Sequence, residues 1–280
     1  MIEKFIITGD THGSLQRFEN LNYIEPDKIG IIILGDAGFN FCLNKKDIGT
    51  KNYAKSLGYN FYCVRGNHEA RPGDIPNMKL IWDKEVLGPI YCEEEFPNIR
   101  YFLDGAEYKI NGLRTLVIGG AYSVDKEYRL MRTGLTEETN NPKATGWFSN
   151  EMLTEYEQDC IYNAYKNQNF DLILTHTCPI SWEPTDLFLP MINQNKVNKS
   201  MENFLEKMRQ CITFKYWFMG HYHDDRIIAP KVEMFYRDME DLDYILYRWE
   251  KFDKEDTLDW WLKLDPKFKE RNDKVNVHGF

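Results

Sequence analysis

The chain has 280 residues, 42% hydrophobic and 28% charged, which excludes a disordered tail or a fibre. With 44 acidic and 35 basic side chains, the formal net charge is −9, which argues against a general basic footprint for nucleic acid and leaves room only for a local basic pocket. At about 150 residues per domain the length allows one or two domains, with no need of a disulfide or metal staple.

No apolar run approaches the roughly 18 residues of a membrane-spanning helix; the longest clean stretch is Ile29–Leu34. The opening MIEKFIITGDTHG has too short an apolar run for a signal peptide. Six cysteines (Cys42, Cys63, Cys92, Cys160, Cys178, Cys211) are scattered with no CxxC pair. That spacing predicts reduced thiols in a cytoplasmic protein and argues against a four-cysteine zinc site.

In chain order, the first β-rich run is KFIITGD, followed by a helix over Ser14–Leu21. IGIIILGDAG is the second strand, and a helix over Asp47–Leu57 leads to a third, NFYCVRGNHE. LRTLVIGGA follows, then residues 121–150, polar and without period, as expected of a functional lid. A helix over Asn150–Lys166 precedes the strand DLILTHTCP. Residues 181–197, with Pro184 and Pro190, read as irregular, and Asn198–Arg209 as an amphipathic helix before KYWFMGHYH. From Asp238 the chain is acidic and aromatic. This predicts a catalytic domain over 1–237 and a helix-rich appendage over 238–280, held by Trp249, Trp260 and Trp261. Near-continuous apolar strands are buried on both faces, as in a layered α/β or αββα domain.

The strand ends carry the chemistry. They read Asp10-Thr11-His12, Gly35-Asp36, Arg65-Gly66-Asn67-His68-Glu69, Thr175-His176 and Gly220-His221-Tyr222-His223. Parallel strands present their C-terminal ends along one edge, where ligands bind. Five of the six histidines sit in these turns; the sixth, His278, lies in the tail. One such histidine is ordinary, but five beside Asp10, Asp36 and Asn67 point to a metal centre. Mixed imidazole and carboxylate ligands suit Mn, Fe, Ni or Zn. Residues two apart at a strand end share a face, so Asp10 with His12, and His221 with His223, aim together. Two ions about 3.5–4 Å apart can share a carboxylate and a hydroxide, which attacks phosphorus in line.

Five blocks, GDTHG (9–13), GDAG (35–38), GNHE (66–69), THTCP (175–179) and GHYH (220–223), resemble in order those of the calcineurin-like metallophosphoesterases, and GGAYSVDKEYR (119–129) resembles a stretch of some bacterial and phage members. The resemblance implies a four-layer αββα sandwich and two divalent metals, with Mn expected first. It implies Asp10, His12 and His223 on one metal, Asn67, His176 and His221 on the other, and Asp36 between them. His68 would face the substrate and protonate the leaving oxygen. The protein phosphatase branch has an Asp and an Arg three and four residues after the bridging Asp. Here those positions are Phe39 and Asn40, so the carboxylate that orients the catalytic histidine is absent. Arg65 does match that branch and is expected on substrate phosphate, where a guanidinium fork is suited. Asp125 and Arg129, in GGAYSVDKEYR, either line the pocket or brace the loop by an ion pair. Glu69 is expected as a structural acceptor and Cys178 as a packing residue.

The reading is a metal-dependent hydrolase of small phosphomonoesters, phosphodiesters or nucleotides, with no membrane partner and no extended nucleic-acid binding. The alternatives are a nuclease acting on ends or single strands, and a non-catalytic metal-binding adaptor. An intact ligand set argues against the adaptor.

Overall fold

The computed structural model describes residues 1–255 other than Asn22 and Ile24, so Trp260, Trp261 and His278 lie outside the described residues. The order is β1 (Lys4–Thr8), β2 (Ile29–Ile33), α1 (Lys45–Leu57), β3 (Asn60–Cys63), β4 (Met78–Asp83), β5 (Gly88–Glu93), β6 (Ile99–Phe102), β7 (Ala106–Ile110) and β8 (Leu113–Ile118). Then come α2 (Lys126–Thr133), α3 (Pro142–Thr145), α4 (Glu155–Tyr165), β9 (Asn169–Thr175), α5 (Ser200–Cys211), β10 (Thr213–Met219), β11 (Arg226–Ala229), β12 (Val232–Met234), β13 (Met239–Asp241) and α6 (Leu242–Glu255).

Two sheets form, ordered β13-β1-β2-β3-β6-β5-β4 and β11-β12-β10-β9-β8-β7. The centre of each is parallel: β1–β2–β3–β6 in the first and β8–β9–β10–β12 in the second. Side-chain alternation sorts the apolar runs into three cores. Ile7, Ile32, Leu34 and Tyr62 of one sheet meet Val117, Leu172, Leu174 and Phe218 of the other. Ile6, Ile31, Ile33 and Phe61 face outward with Ala54 of α1. Leu116, Ile173 and Trp217 face outward with Phe204, Leu205 and Met208 of α5 and Ile161 of α4. The layers are therefore helix, sheet, sheet, helix, and strands buried on both faces need not alternate in hydropathy.

Local signals place the helices. Asn44 caps α1, its side chain accepting from Lys46 N, and Gly58 ends it in the left-handed region. Thr154 and Glu157 form a capping box that starts α4, so this helix begins later than the predicted Asn150. The predicted helix after the first turn is a 3-10 segment, Gln16–Leu21. Residues 121–150 contain α2, stopped by Gly134, where no period was legible. Strands β4 to β7 were also not legible; most of β4 is exposed, including Leu80, Ile81 and Trp82. β13 pairs antiparallel with β1, and Leu242, Ile245, Trp249 and Phe252 of α6 enter the core between the sheets. Among the described residues no helix is long and apolar enough to cross a membrane.

Candidate metal centre

The C-terminal ends of β1, β2, β3, β9 and β10 each run into one of the five polar turns. Four predicted ligands there have left-handed backbone: His12 (φ 47°), Asp36 (φ 49°), His221 (φ 72°) and His223 (φ 54°). Such conformations disfavour residues with a Cβ and persist where the surroundings over-determine them. The glycines beside them make room. A Cβ on Gly35 would lie 1.9 Å from His176 Nδ1, and one on Gly66 would lie 1.9 Å from Asp36 Oδ1.

Two groups of metal-capable atoms result: Asp10 with His12 and His223, and Asp10 with Asp36 and His176. In the first, His12 Nε2 and His223 Nε2 face each other at 2.9 Å. Asp10 Oδ2 is buried without a well-formed hydrogen bond, 3.2 Å from His223 Nε2 and 3.8 Å from His12 Nε2. Its other oxygen accepts from His221 N at 2.9 Å. Tyr236 stacks on His223 with ring centroids 4.6 Å apart, and Arg17 donates to Asp10 O at 2.9 Å.

In the second group the hydrogen bonds fix atom identities. His176 Nδ1 lies 2.8 Å from Leu34 O and must donate to it, so Nε2 carries the lone pair. Asn67 Nδ2 donates to Ser123 Oγ at 2.9 Å, and Ser123 Oγ donates to Glu151 Oε2 at 2.6 Å, which turns Asn67 Oδ1 inward. Asn67 Oδ1 and His176 Nε2 thus face each other, acceptor to acceptor, at 2.9 Å, with Asp36 Oδ1 3.7 Å from that nitrogen. A cation is what such an arrangement fits. His221 belongs to neither group of metal-capable atoms; its ring lies edge-on to His176, with centroids 4.9 Å apart.

The electrostatics agree with this. Burial opposes ionisation of Asp10, but His223, His176 and the His221 amide outweigh it and hold the carboxyl below its usual range. Burial, then Asp10 and Glu69, push Asp36 well up. Burial lowers His12, His176 and His221, keeping the rings neutral and able to ligate.

His68 N donates to Asp36 Oδ1 at 2.7 Å, and its Nε2 lies 4.0 Å from Asp36 Oδ2. Its Nδ1 is met by Arg129 Nη2 at 2.8 Å. Arginine has no acceptor, so Nδ1 accepts and the ring proton sits on Nε2. Burial, then Arg129, push His68 down to about 3. Arg129 also donates to Gly146 O at 2.7 Å and pairs with Asp125 at 2.7 Å. Pocket lining and bracing are therefore one arrangement. Phe39 is buried against Phe61, and Asn40 O accepts from Ala70 N, so this turn offers His68 no carboxylate and α2 supplies its partner instead.

Arg65, expected on substrate phosphate, is not brought to the open face. It is 1% exposed and donates to Asp104 Oδ2 at 2.7 Å, Glu151 O at 2.5 Å and Gly119 O at 3.5 Å. It ties the end of β3 to the end of β8. Glu69 is a buried acceptor, for Gly66 N at 2.9 Å and Tyr101 OH at 2.6 Å, and Cys178 packs in the outer core of the second sheet. Ser123, Glu151 and Asp104 carry no sequence signal, because each acts through a contact made only on folding.

Two cavities meet at His68, Asp125 and His223. One of about 500 Å3 runs along residues 187–199. The other, about 560 Å3, is lined by His12, Phe41, Lys46, Thr50 and Arg129. A family model for calcineurin-like phosphoesterases matches residues 3–225. No curated protein matches the chain. The match spans all five turns that build this cluster, and the chain belongs to the calcineurin-like phosphoesterase family.

Proposed function

We propose that the chain hydrolyses small phosphomonoesters, phosphodiesters or nucleotides at this cluster, with Mn as the working ion. The family carries the general chemistry, dinuclear-metal hydrolysis of phosphate esters. Asp10, His12 and His223 would hold one ion, and Asn67, His176 and His221 the other, with Asp36 between them. When bound, the ions supply Lewis acidity and water activation near neutral pH. The observation that carries this reading is the acceptor-to-acceptor pairing of Asn67 Oδ1 with His176 Nε2.

The chain's own groups do the rest. His176 is oriented by Leu34 O, and Asn67 by Ser123 and Glu151. His68, held neutral with its proton on Nε2 by Arg129, offers that N–H to the leaving oxygen as a hydrogen-bond donor that stabilises the developing charge, in place of the proton transfer expected from the sequence. Arg129, not Arg65, is the guanidinium beside the phosphate position.

The test is a panel of p-nitrophenyl phosphate, bis-p-nitrophenyl phosphate, nucleotides and oligonucleotides, run on Mn-reconstituted and metal-free protein. Metal-dependent turnover of the small esters is expected, and Asp36→Ala should lose metal and activity together. Full metal occupancy and normal turnover in Asp36→Ala would sink the ligand assignment. Turnover of oligonucleotides alone would move the reading to a nuclease, and metal binding without any turnover to an adaptor.

A further inference from the structure

The cavity of about 500 Å3 has two unlike walls. One is the cluster itself: Asp36, Asn67, His68, His221 and His223. The facing wall is apolar, made by Tyr122, Leu187, Phe188, Leu189, Ile192 and Val197. Leu189 is 55% exposed and Leu187 38%, so apolar groups stand in solvent at the mouth of a polar site. Scattered exposed leucines need no explanation, but a contiguous apolar wall facing a ligand cluster marks a binding surface.

The charges narrow what can sit there. The cation lining this cavity is Lys199, which is already paired with Glu183 Oε1 at 2.5 Å and lies 4.7 Å from the Phe188 ring centroid. The other ionisable groups of the wall, Asp125 and Glu202, are acids. Positive charge lies instead in the second cavity, beyond His68, on Lys46 and Arg129. A second phosphate or a carboxylate entering this cavity would meet Lys199 already in its ion pair with Glu183, and otherwise only the neutral donors Gln194, Tyr122 and Tyr222 beside two acids, whereas a flat uncharged ring would bury its faces against Phe188, Leu189 and Ile192.

We propose that the substrate is a phosphate ester whose organic arm is an uncharged apolar or aromatic group of bicyclic size, seated against Phe188, Leu189 and Ile192 with its phosphate at the Asp36–His223 cluster. The proposal rests on the hydrolytic reading given above and deepens it. It disfavours dinucleoside polyphosphates and sugar diphosphates entering this cavity.

The experiment compares kcat/KM for 1-naphthyl, phenyl and 4-carboxyphenyl phosphate on the Mn-loaded full chain. It adds calorimetric binding of the non-hydrolysable 1-naphthylmethylphosphonate. Naphthyl phosphate should be preferred over phenyl, and 4-carboxyphenyl should be the poorest. Phe188→Ala and the surface variant Leu189→Asp should each lower the naphthyl-to-phenyl ratio about 10-fold, as expected when apolar contact to the second ring is lost. Both variants should weaken phosphonate binding in parallel. Hydrolysis of all three esters with equal kcat/KM, or ratios unmoved by both variants, would overturn the proposal while leaving hydrolysis intact. No turnover of any ester, together with phosphonate binding that both variants abolish, would uphold the cavity's ligand class and remove the hydrolytic reading instead.

Discussion

Glu151 sits 2% exposed at the end of the chain of hydrogen bonds that orients Asn67, accepting from Ser123 N at 2.9 Å and from Ser123 Oγ at 2.6 Å. Burial pushes its carboxyl up to about 7 from an ordinary 4.5, against the smaller pull of the Ser123 bonds. For a carboxyl raised in the folded state, both states are protonated below pH 4.5. Between 4.5 and 7 the unfolded chain loses the proton that the folded chain keeps, so stability falls as pH rises through that window. Above pH 7 the loss is complete. At about 1.4 kcal/mol per pK unit, a shift from 4.5 to about 7 corresponds to on the order of 3 kcal/mol. Glu151→Gln keeps the shape and cannot titrate, so it lacks this loss. Its stability relative to wild type should therefore rise by on the order of 3 kcal/mol between pH 4.5 and pH 7.5, superimposed on a constant offset from the Ser123 bonds that Gln replaces imperfectly. Urea denaturation followed by tryptophan fluorescence at pH 4.5, 5.5, 6.5 and 7.5, on both proteins with EDTA present, measures it. Other titrating groups are common to both chains and cancel to first order. A difference that stays flat across the series would refute the claim that a buried, proton-holding Glu151 supports Asn67.

Two further outcomes follow from the partners seen around the cluster. Arg65→Ala takes the Arg65 donor from Asp104 Oδ2 and two carbonyls, while Asp104 Oδ1 keeps Gly119 N, so it should cost about 3–5 kcal/mol in urea denaturation, as for a broken buried pair, with Arg65→Lys recovering part of it. Normal stability with impaired kcat/KM would return Arg65 to the substrate. Arg129→Ala removes the donor on His68 Nδ1 and the nearest positive charge, so the His68 pKa should move up from its depressed value. The ring acts in its neutral form, so the acid limb of the kcat–pH profile should then shift toward neutral pH, and kcat should fall by about 10²-fold as the positioned Nε2–H donor and the guanidinium beside the phosphate are lost. An unmoved profile would show that Arg129 does not control this ring.

Much of this molecule was legible before folding. Ile29–Ile33 and Leu172–Leu174 are apolar at successive positions because their strands are covered on both faces, so the layered fold followed from the runs. The glycines of GDAG and GNHE stand where a Cβ would strike His176 or Asp36, which is why Gly precedes the ligands so consistently. Helix caps such as Asn44 act within a few residues and could be read locally, whereas α2 and the exposed strand β4 lacked a clean period and could not.

What only the tertiary structure decided is which group serves which. Arg65 and Arg129 look alike as sequence, yet one is enclosed between the ends of β3 and β8 and the other reaches His68 from α2. Ser123 and Glu151 orient Asn67 across 56 and 84 residues of chain, and Leu187 to Ile192 become an apolar wall only where they face the cluster. Periodicity reports which face of an element is buried and a cap reports where it ends. Neither carries the distance between atoms on different strands, and that distance sets the tautomer of His68, the direction of the Asn67 amide and the burial of Arg65.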